Sequence, residues 1–423
     1  MTLAGLSLAY LKDRALNTAL NILLLTLSVA TLVILVLFSS QLSERFARDA
    51  QGIDLVVGAK GSPLQLILSS IYQVDVPTGN IPLETLDTLR GDPTVAEVIP
   101  LALGDSFRSY RIVGTEAAYV EHYDGRMAEG RMFEAPYETV IGAQVARGTG
   151  AGLGQKFEGS HGLAGDGHVH EQTPFEVVGI LAPTGTVLDR LIVTPVASVW
   201  GAHGFGTGPS EDHEDEAASH DEHAAHDHED DEYGHVDADE AELEVTALLV
   251  KYRSSLAAVR LPSFINRQTQ LQAAAPAVEM TRLLSLLAVG IDAVRAFAVL
   301  LMITSGLSIF VALYSALRQR EGDMAMLRVM GARPPAIFGH IVLEGVLLAA
   351  AGALLGVIVG HGVAAFAAAT FPQLQDMGLT ALRFEPAEAV IVAAAIAMGG
   401  LAALVPALKV FRVDIAQTLA DTR

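Results

Sequence analysis

Apolar residues are concentrated in four long runs along this chain, at residues 15–40, 285–317, 337–370 and 389–408. Each run is nearly free of charge and reaches the length of about 20 residues that a helix needs to cross a bilayer. The pattern therefore predicts four transmembrane helices. A cleaved signal peptide is the alternative for the first run, but a signal-peptide core has only about 7–15 apolar residues.

The region between the first and second runs, residues 41–284, contains no further run of that length. Short strand-like runs separated by Gly, Pro and Asp predict β-strands at 95–103, 107–113, 139–143 and 175–181. The polar stretch that follows the first run is compatible with a helical stalk. We therefore expect an α-helical membrane protein with four transmembrane helices and a large α+β extracytoplasmic domain between the first and second spans.

Basic residues predict the orientation in the membrane. The leader 1–14, the loop 318–336 and the tail 409–423 carry nine Lys or Arg, whereas the loop 371–388 carries only Arg383. Short loops rich in Lys and Arg stay on the cytoplasmic side. We expect a multi-pass protein of the bacterial inner membrane, with both termini in the cytoplasm and the large domain in the periplasm.

Composition agrees with a membrane protein that has a large aqueous part. Hydrophobic residues make up 51% of the 423 residues, and the mean hydropathy is +0.41. The net charge is −21, but residues 211–244 alone contain 17 Asp and Glu and no Lys or Arg, which leaves −4 for the rest. No basic region indicates a nucleic-acid partner. The absence of cysteine excludes disulfides, thiol catalysis and Cys-bound zinc.

A short charged segment separates the second and third apolar runs. Within it Met324, Leu327 and Met330 recur at helical spacing, and the charged residues Arg320, Asp323 and Arg328 occupy other positions. The spacing predicts a short amphipathic helix at the inner face of the membrane. Such a helix either lies on lipid or docks on a partner. We expect a separate ATPase subunit to dock here.

The segment contains LRVMGA at 327–332 and is followed by LEG at 343–345. This sequence resembles the signature of the FtsX-like permeases, which include the MacB, LolC/LolE and FtsX types. Gly322 and Asp323 depart from it where Arg and Glu are common. Residues 140–157 and 175–200 similarly resemble the MacB-like periplasmic core domain. The resemblance implies that the ATPase is contacted by the following residues: Arg320, Asp323, Met324, Leu327, Arg328, Met330, Gly331 and Ala332.

The same resemblance implies a permease subunit of an ABC transporter that is not itself an enzyme. The chain has no Gly-x4-Gly-Lys-Ser/Thr phosphate loop, so ATP would bind a separate ATPase chain. Four spans imply a homodimer or a paired permease, and the large domain implies an extracytoplasmic partner. The alternatives are an FtsX-like regulator that transports nothing and a metal-binding membrane sensor without an ATPase.

Three small residues within the third run are spaced for close helix packing. Gly352, Gly356 and Gly360 recur every four residues and share one helix face, which lets two helices approach closely in lipid. We interpret them as packing residues and not as catalytic ones, with a dimer interface as one candidate location. Asp292 and Arg295 are three residues apart and are expected to pair on one helix face. Glu344 is an ionisable residue near the inner end of the third span.

Ten of the 13 histidines lie between His161 and His235, and the densest part belongs to an acidic, low-complexity insertion at 202–244 that we expect to be disordered. Imidazole and carboxylate groups together suit zinc, with copper and nickel as alternatives. A solvated acidic loop and a pH sensor are the other interpretations. The candidate ligands are His213, His220, His223, His226, His228 and His235.

Overall fold

The computed structural model describes residues 15–161, 174–202, 243–319, 322, 328–331, 333–371 and 380–409. It divides the chain into two compact units. We call residues 1–44 together with 284–423 the membrane unit, and residues 45–283 the sheet unit. Each unit has its own hydrophobic core.

The membrane unit is built from four helices that are long and apolar enough to cross a membrane. These are α1 (Ala15–Asp49), α8 (Pro276–Gln319), α9 (Pro334–Thr370) and α10 (Pro386–Lys409). The first two are longer than their apolar runs, because α1 continues through the polar stretch after residue 40 and α8 begins before residue 285. The prediction of four apolar helices is confirmed.

The sheet unit contains the other helices and strands whose bounds lie within the described residues. In chain order they are β1 (Leu55–Ala59), α2 (Pro63–Ser70), β2 (Ile81–Pro82), α3 (Glu84–Arg90), β3 (Val95–Phe107), β4 (Tyr110–Thr115), α4 (Ala117–His122), β5 (Met127–Gly130), β6 (Glu138–Ile141), α5 (Ala143–Thr149), β7 (Lys156–Phe157), β8 (Ser160–His161), β9 (Phe175–Leu181), a 3-10 turn (Val187–Arg190), β10 (Leu191–Pro195), α6 (Val196–Ala202), β11 (Glu244–Val245), β12 (Ala247–Tyr252), α7 (Ser255–Gln268) and β13 (Leu271–Ala274).

The main sheet is mixed, with strand order β13-β1-β12-β3-β4-β10-β6-β9-β5. Only β10 with β4 and β6 with β9 are parallel pairs on this path; its other pairs are antiparallel. β3 is long enough to pair with β12 through its first half and with β4 through its second. The expected α+β fold is confirmed by this mixed sheet and its helices.

Two apolar clusters form the core of the sheet unit. One joins β1, β3 and β12 to α3 and α7, with Leu55, Leu248 and Leu261 fully buried. The other joins β4, β6, β9 and β10, with Ile112, Phe175 and Ile192 at its centre. In β9 the residues alternate between buried and partly exposed, as a strand with one face on the core requires.

The predicted insertion at 202–244 is bounded by two regular elements. Ala202 ends α6 and is buried, and Glu244 begins β11, which pairs with β2. The indole N–H of Trp200 donates to the Glu244 carbonyl at 2.7 Å, and the Leu83 N–H donates to the Leu243 carbonyl at 2.8 Å. These bonds hold the two ends of the insertion on the sheet unit. The residues between them, 203–242, lie outside the described part.

Candidate functional site

The connection between α8 and α9 holds the predicted ATPase-coupling residues. Arg328, Met330 and Gly331 belong to the described part of the chain. Side chains at 329 and 330 are apolar, yet Val329 is 66% and Met330 70% exposed. The structure therefore leaves an apolar pair uncovered at this end of the membrane unit. The other predicted coupling residues, Arg320, Asp323, Met324, Leu327 and Ala332, lie outside the described residues.

The chain turns sharply after this apolar pair. Gly331 has φ +98°, a left-handed value that side chains disfavour, and its N–H donates to the Arg328 carbonyl at 3.0 Å. Arg333 is extended at the N-cap of α9, and Pro334 begins the helix. Proline suits the first helical turn because the missing N–H would have no intrahelical partner there. These residues set where the connection ends.

The connection joins helices that are packed together at this end. Leu317 of α8, Ile337 and Ile341 of α9, and Ala407 of α10 form one buried cluster. The Tyr314 ring lies beside two cations, with the Arg318 guanidinium 5.6 Å and the Lys409 ammonium 4.8 Å from its centroid. The ends of three helices are thus tied to one another where the connection leaves α8 and enters α9.

The predicted glycine face of α9 contacts α1 within the same chain. A Cβ atom built on Gly352 would lie 3.0 Å from Leu25, and one on Gly356 would lie 2.6 Å from Val29. Gly360 faces Val33 in the same way. The two backbones are close enough that the Thr26 hydroxyl donates to the Gly352 carbonyl at 3.2 Å. The glycines therefore pack α9 on α1 within the chain, and their use at a dimer interface stays a prediction.

Two further glycines bring α9 against α10, and the sequence analysis did not single them out. A Cβ on Gly345 would lie 2.7 Å from the Gly399 carbonyl oxygen, and one on Gly399 would lie 2.6 Å from the Gly345 carbonyl oxygen. In the sequence, Gly345 and Gly399 are each visible as a small residue within an apolar run. Pairing them required knowledge of which helices are neighbours.

Polar side chains also link the helices inside the membrane unit. The Ser28 hydroxyl of α1 donates to the Ala298 carbonyl of α8 at 2.8 Å, and the Ser308 hydroxyl donates to the Asn21 amide oxygen at 2.6 Å. Glu344 is buried on α9. The predicted pair of Asp292 and Arg295 forms, with 2.7 Å between Oδ1 and Nη1. In an apolar medium, hydroxyl and amide groups such as those of Ser28, Ser308 and Asn21 are expected to find partners on neighbouring helices.

At the end of the membrane unit opposite the coupling connection, a polar cluster joins α1, α9, the segment before α10 and the first turn of α10. His361 Nε2 lies 2.9 Å from Glu388 Oε2, and Nδ1 lies 2.5 Å from the Ala381 carbonyl oxygen. Gln41 exchanges two hydrogen bonds with the backbone of Thr380. We call this set the polar clasp. The sequence analysis missed it, although ionisable residues in apolar runs are a recognised signal.

Arg383 extends the polar clasp toward α1. Its guanidinium lies 2.5 Å from the Glu44 carboxylate and 2.9 Å from the Glu385 carboxylate. Glu388 also accepts the Glu385 N–H at 2.9 Å, which closes the first turn of α10. The short loop before α10 is thereby held by several charged hydrogen bonds.

In the sheet unit, the final residues of α1 are anchored by buried hydrogen bonds. Asp49 is 1% exposed; its Oδ1 accepts the Val187 N–H at 2.8 Å, and its carbonyl accepts the Tyr123 hydroxyl at 2.9 Å. The Tyr72 hydroxyl donates to the Phe46 carbonyl at 3.1 Å. We call these contacts the α1 anchor. They bind the last helical turn of α1 to three separate segments of the sheet unit.

The six candidate metal ligands, from His213 to His235, lie outside the described residues. Within the ranges that the structure describes, no group of three or more His, Asp or Glu side chains is arranged to hold a metal ion. The assignment of zinc to the insertion therefore stays a prediction from sequence.

Four apolar helices with a mixed-sheet unit between the first two define the class of a multi-span membrane subunit that carries one large folded domain. Residues 18–222 match the MacB-like periplasmic core domain, and residues 295–415 match the FtsX-like permease C-terminal domain. The chain belongs to the family of MacB/FtsX-like ABC transporter permeases. The resemblance seen in the sequence is thus confirmed, and permeases of this family are in general not themselves catalytic.

Two solved structures are similar to part of the chain. The periplasmic region of MacB from Actinobacillus actinomycetemcomitans is 12% identical, with 55% of this chain and 95% of that one covered and a TM-score of 0.34. The extracellular domain of the noncanonic ABC-type transporter YknZ from Gram-positive bacteria is 14% identical, with 52% and 98% covered and a TM-score of 0.29. No curated protein matches the chain significantly. Membership of the family therefore rests on the two family matches.

A substitution on the glycine face tests the packing of α9 on α1. We expect Gly356→Val to destabilise the membrane unit by about 1–3 kcal/mol, because the added side chain overlaps Val29. The measurement is the helical circular dichroism of the detergent-solubilised chain during heating. Gly362→Val is the matched control, since it lies in the same helix with nothing within 4 Å of its added Cβ. Equal melting temperatures for the two variants would contradict this packing.

Proposed function

We propose that this chain is the membrane subunit that couples ATP hydrolysis on a separate ATPase to movement of an extracytoplasmic domain. The observation that carries the proposal is the exposed apolar pair Val329 and Met330 in the connection between α8 and α9. An apolar patch at the end of a membrane helix bundle is a typical protein-docking surface. Membership of the ABC permease family identifies an ABC ATPase as the expected occupant.

The lengths of α1 and α8 support a mechanical role. At about 1.5 Å per residue, helices of 35 and 44 residues are about 52 and 66 Å long, well beyond the roughly 30 Å of a bilayer core. Each continues without interruption from its apolar run into residues of the sheet unit. A displacement at the inner end of α8 would therefore be transmitted along one continuous helix.

The proposal also requires that the end of α1 is held firmly on the sheet unit. The α1 anchor meets this requirement. Buried hydrogen bonds from Asp49 and to its carbonyl hold the end of α1 on the sheet unit. A buried bond of this kind is costly to leave unmade, at about 1–3 kcal/mol for an unsatisfied group. The end of α1 and the sheet unit are thus expected to move together.

The orientation belongs to the same proposal. The connection between α8 and α9 lies in the cytoplasm with both termini, and the sheet unit lies in the periplasm. The basic residues Arg318 and Lys409 lie at the ends of α8 and α10 that this orientation places inside. Basic residues in short loops favour the cytoplasmic side.

We further propose that the histidines of the 203–242 insertion bind zinc, which would link the transporter to metal homeostasis. The support is the combination of clustered imidazoles with interleaved carboxylates. Both ends of the insertion are held to the sheet unit by Trp200 and Leu83, so the histidines would be presented from one fixed place on that unit. Zinc would act here as cargo or signal.

The docking surface is tested by changing one apolar side chain. An ABC ATPase is expected to co-purify with the wild-type chain, and Met330→Asp should lower its yield about tenfold, because a central apolar contact is replaced by a charge. Quantitative mass spectrometry of the purified complex measures this yield. Leu382→Asp is the control, since Leu382 is also apolar and exposed but lies beside the polar clasp. An ATPase yield that is equal in both variants would refute the docking site.

The orientation is tested by labelling single cysteines, since the chain has none of its own. In cells with a permeabilised outer membrane, Leu382→Cys should react fully with a membrane-impermeant maleimide. Val329→Cys should react only after the inner membrane is opened. Both side chains are exposed, so a difference reports the side of the membrane. The reverse pattern would overturn the proposed topology.

The zinc proposal is tested on the full chain in neutral detergent. Replacing His213, His220, His223, His226, His228 and His235 by Gln should remove most of the zinc bound at saturation, because the imidazole ligands are lost. Replacing 203–242 by a short Gly-Ser linker should do the same and spare the Trp200–Glu244 bond. Calorimetric titration gives the stoichiometry, with a His161, His168 and His170 to Gln variant as control. An unchanged stoichiometry in the six-site variant would contradict zinc binding by the insertion.

A further inference from the structure

The sheet unit contains an open cleft of about 1050 Å³ beside the α1 anchor. Its walls come from the end of α1, from α4 and the turn after it, from β3 and β12, and from the loop that follows β9. The volume is slightly above the range of about 300–1,000 Å³ that is usual for pockets that bind small molecules. The polypeptide that lines it includes Tyr123, whose hydroxyl belongs to the α1 anchor.

Charges of both signs face this cleft in equal number. The cations are Arg48, Arg126 and Lys251, and the anions are Glu97, Glu121 and Asp124. Within the described residues, none of the six makes an ion pair or a side-chain hydrogen bond. This holds even for Glu97 and Lys251, which are direct partners across β3 and β12. Elsewhere in the sheet unit such charges do pair, as Arg90 does with Glu116 at 2.7 Å.

His122 adds an oriented acceptor to the cleft. Its Nε2 lies 3.0 Å from the Gln51 carbonyl oxygen, which can only accept, so Nε2 carries a hydrogen. Burial lowers the pKa of His122, which keeps the ring neutral at neutral pH and leaves Nδ1 as an acceptor. The ring is held between Tyr123, at 4.9 Å, and Gly52, where a Cβ atom would come within 3.0 Å of Cε1.

The chemistry of the walls restricts the ligand. Polar groups make up more of the lining than apolar ones, and six of the lining residues are charged, which does not suit an acyl chain. A purely anionic ligand would be repelled by the three carboxylates, and a purely cationic one by the arginines and the lysine. The best complement is a hydrophilic ligand that carries both signs and that fits a cleft open to solvent.

We propose that this cleft binds a mixed-charge peptide segment. Its ammonium groups are received by Glu97, Glu121, Asp124 and the Nδ1 atom of His122, and its carboxylates are received by Arg48, Arg126 and Lys251. A peptide is the hydrophilic polymer that presents both groups at a spacing set by its own backbone. The six charges on the walls make no ion pair within the described residues, so binding does not have to break one first, which lowers its free-energy cost.

The cleft is lined by residues that hold the end of α1, so a bound ligand would affect that end. His122 and Tyr123 are consecutive residues that hold the carbonyls of Gln51, the second residue beyond α1, and of Asp49, the last residue of α1. A peptide bound against His122 therefore affects the hydrogen bonds that hold the end of α1. This inference goes beyond the coupling role proposed above, because binding itself requires neither the ATPase nor a nucleotide.

The test uses the full chain in neutral detergent and a capped hexapeptide of alternating Lys and Glu, followed by microscale thermophoresis without nucleotide. Glu121→Gln and Arg126→Gln should each weaken binding about tenfold, since a charged hydrogen bond is lost in either case. Glu158→Gln and Arg147→Gln are the matched controls, because both residues are exposed in the sheet unit and neither lines the cleft. These controls should leave the affinity unchanged.

Capped hexalysine separates the cleft from general attraction to the acidic insertion. Its affinity should not fall in Arg126→Gln, whereas that of the alternating peptide should. The proposal is overturned if the alternating peptide does not bind, if the two cleft variants bind it as the controls do, or if hexalysine loses affinity in parallel. A lost ATPase interaction in Met330→Asp leaves this result unaffected, so failure of the coupling proposal is distinguishable from failure of this one.

Discussion

Close contact between helix backbones is the constraint on which the membrane unit depends. In lipid the hydrophobic effect does not draw one apolar helix to another, so association relies on van der Waals contact and interhelical hydrogen bonds. Helix α9 meets this requirement on two sides. Gly352, Gly356 and Gly360 receive the side chains of α1, and Gly345 meets Gly399 of α10 backbone to backbone. A larger residue at any of these points would push α9 away from the helix that it contacts there.

The sheet unit solves a different problem, which is how to hold the end of a long helix. Apolar packing alone would allow the end of α1 to slide, because it is weakly directional. The α1 anchor instead uses directional bonds, from the Val187 N–H to Asp49 and from the Tyr123 and Tyr72 hydroxyls to backbone carbonyls. These groups are buried, so breaking a bond leaves a polar group without water. Rigidity at this joint follows from the cost of that unsatisfied group.

The sequence predicts the parts of this molecule that follow from local pattern. The four apolar runs and the strand at Phe175–Leu181 were visible because burial repeats along the chain with the period of the element. The glycine face of α9 was visible for the same reason. What the sequence did not reveal are partners distant in the chain: Gly345 with Gly399, His361 with Glu388, and Asp49 with Val187. No local pattern marks these residues, because each acquires its role only when the fold brings its partner near.

The two ends of the membrane unit contrast in a way that bears on the proposed mechanism. At the polar clasp, His361, Arg383 and Gln41 all find partners within the chain, and the loop before α10 is held on several sides. At the other end the apolar side chains of Val329 and Met330 are exposed, and the ends of α8, α9 and α10 are packed in one cluster. Exposed apolar surface costs free energy that only a further apolar surface recovers. A partner that covers this end would therefore act on helix ends that are joined to one another, while the clasp keeps their far ends together.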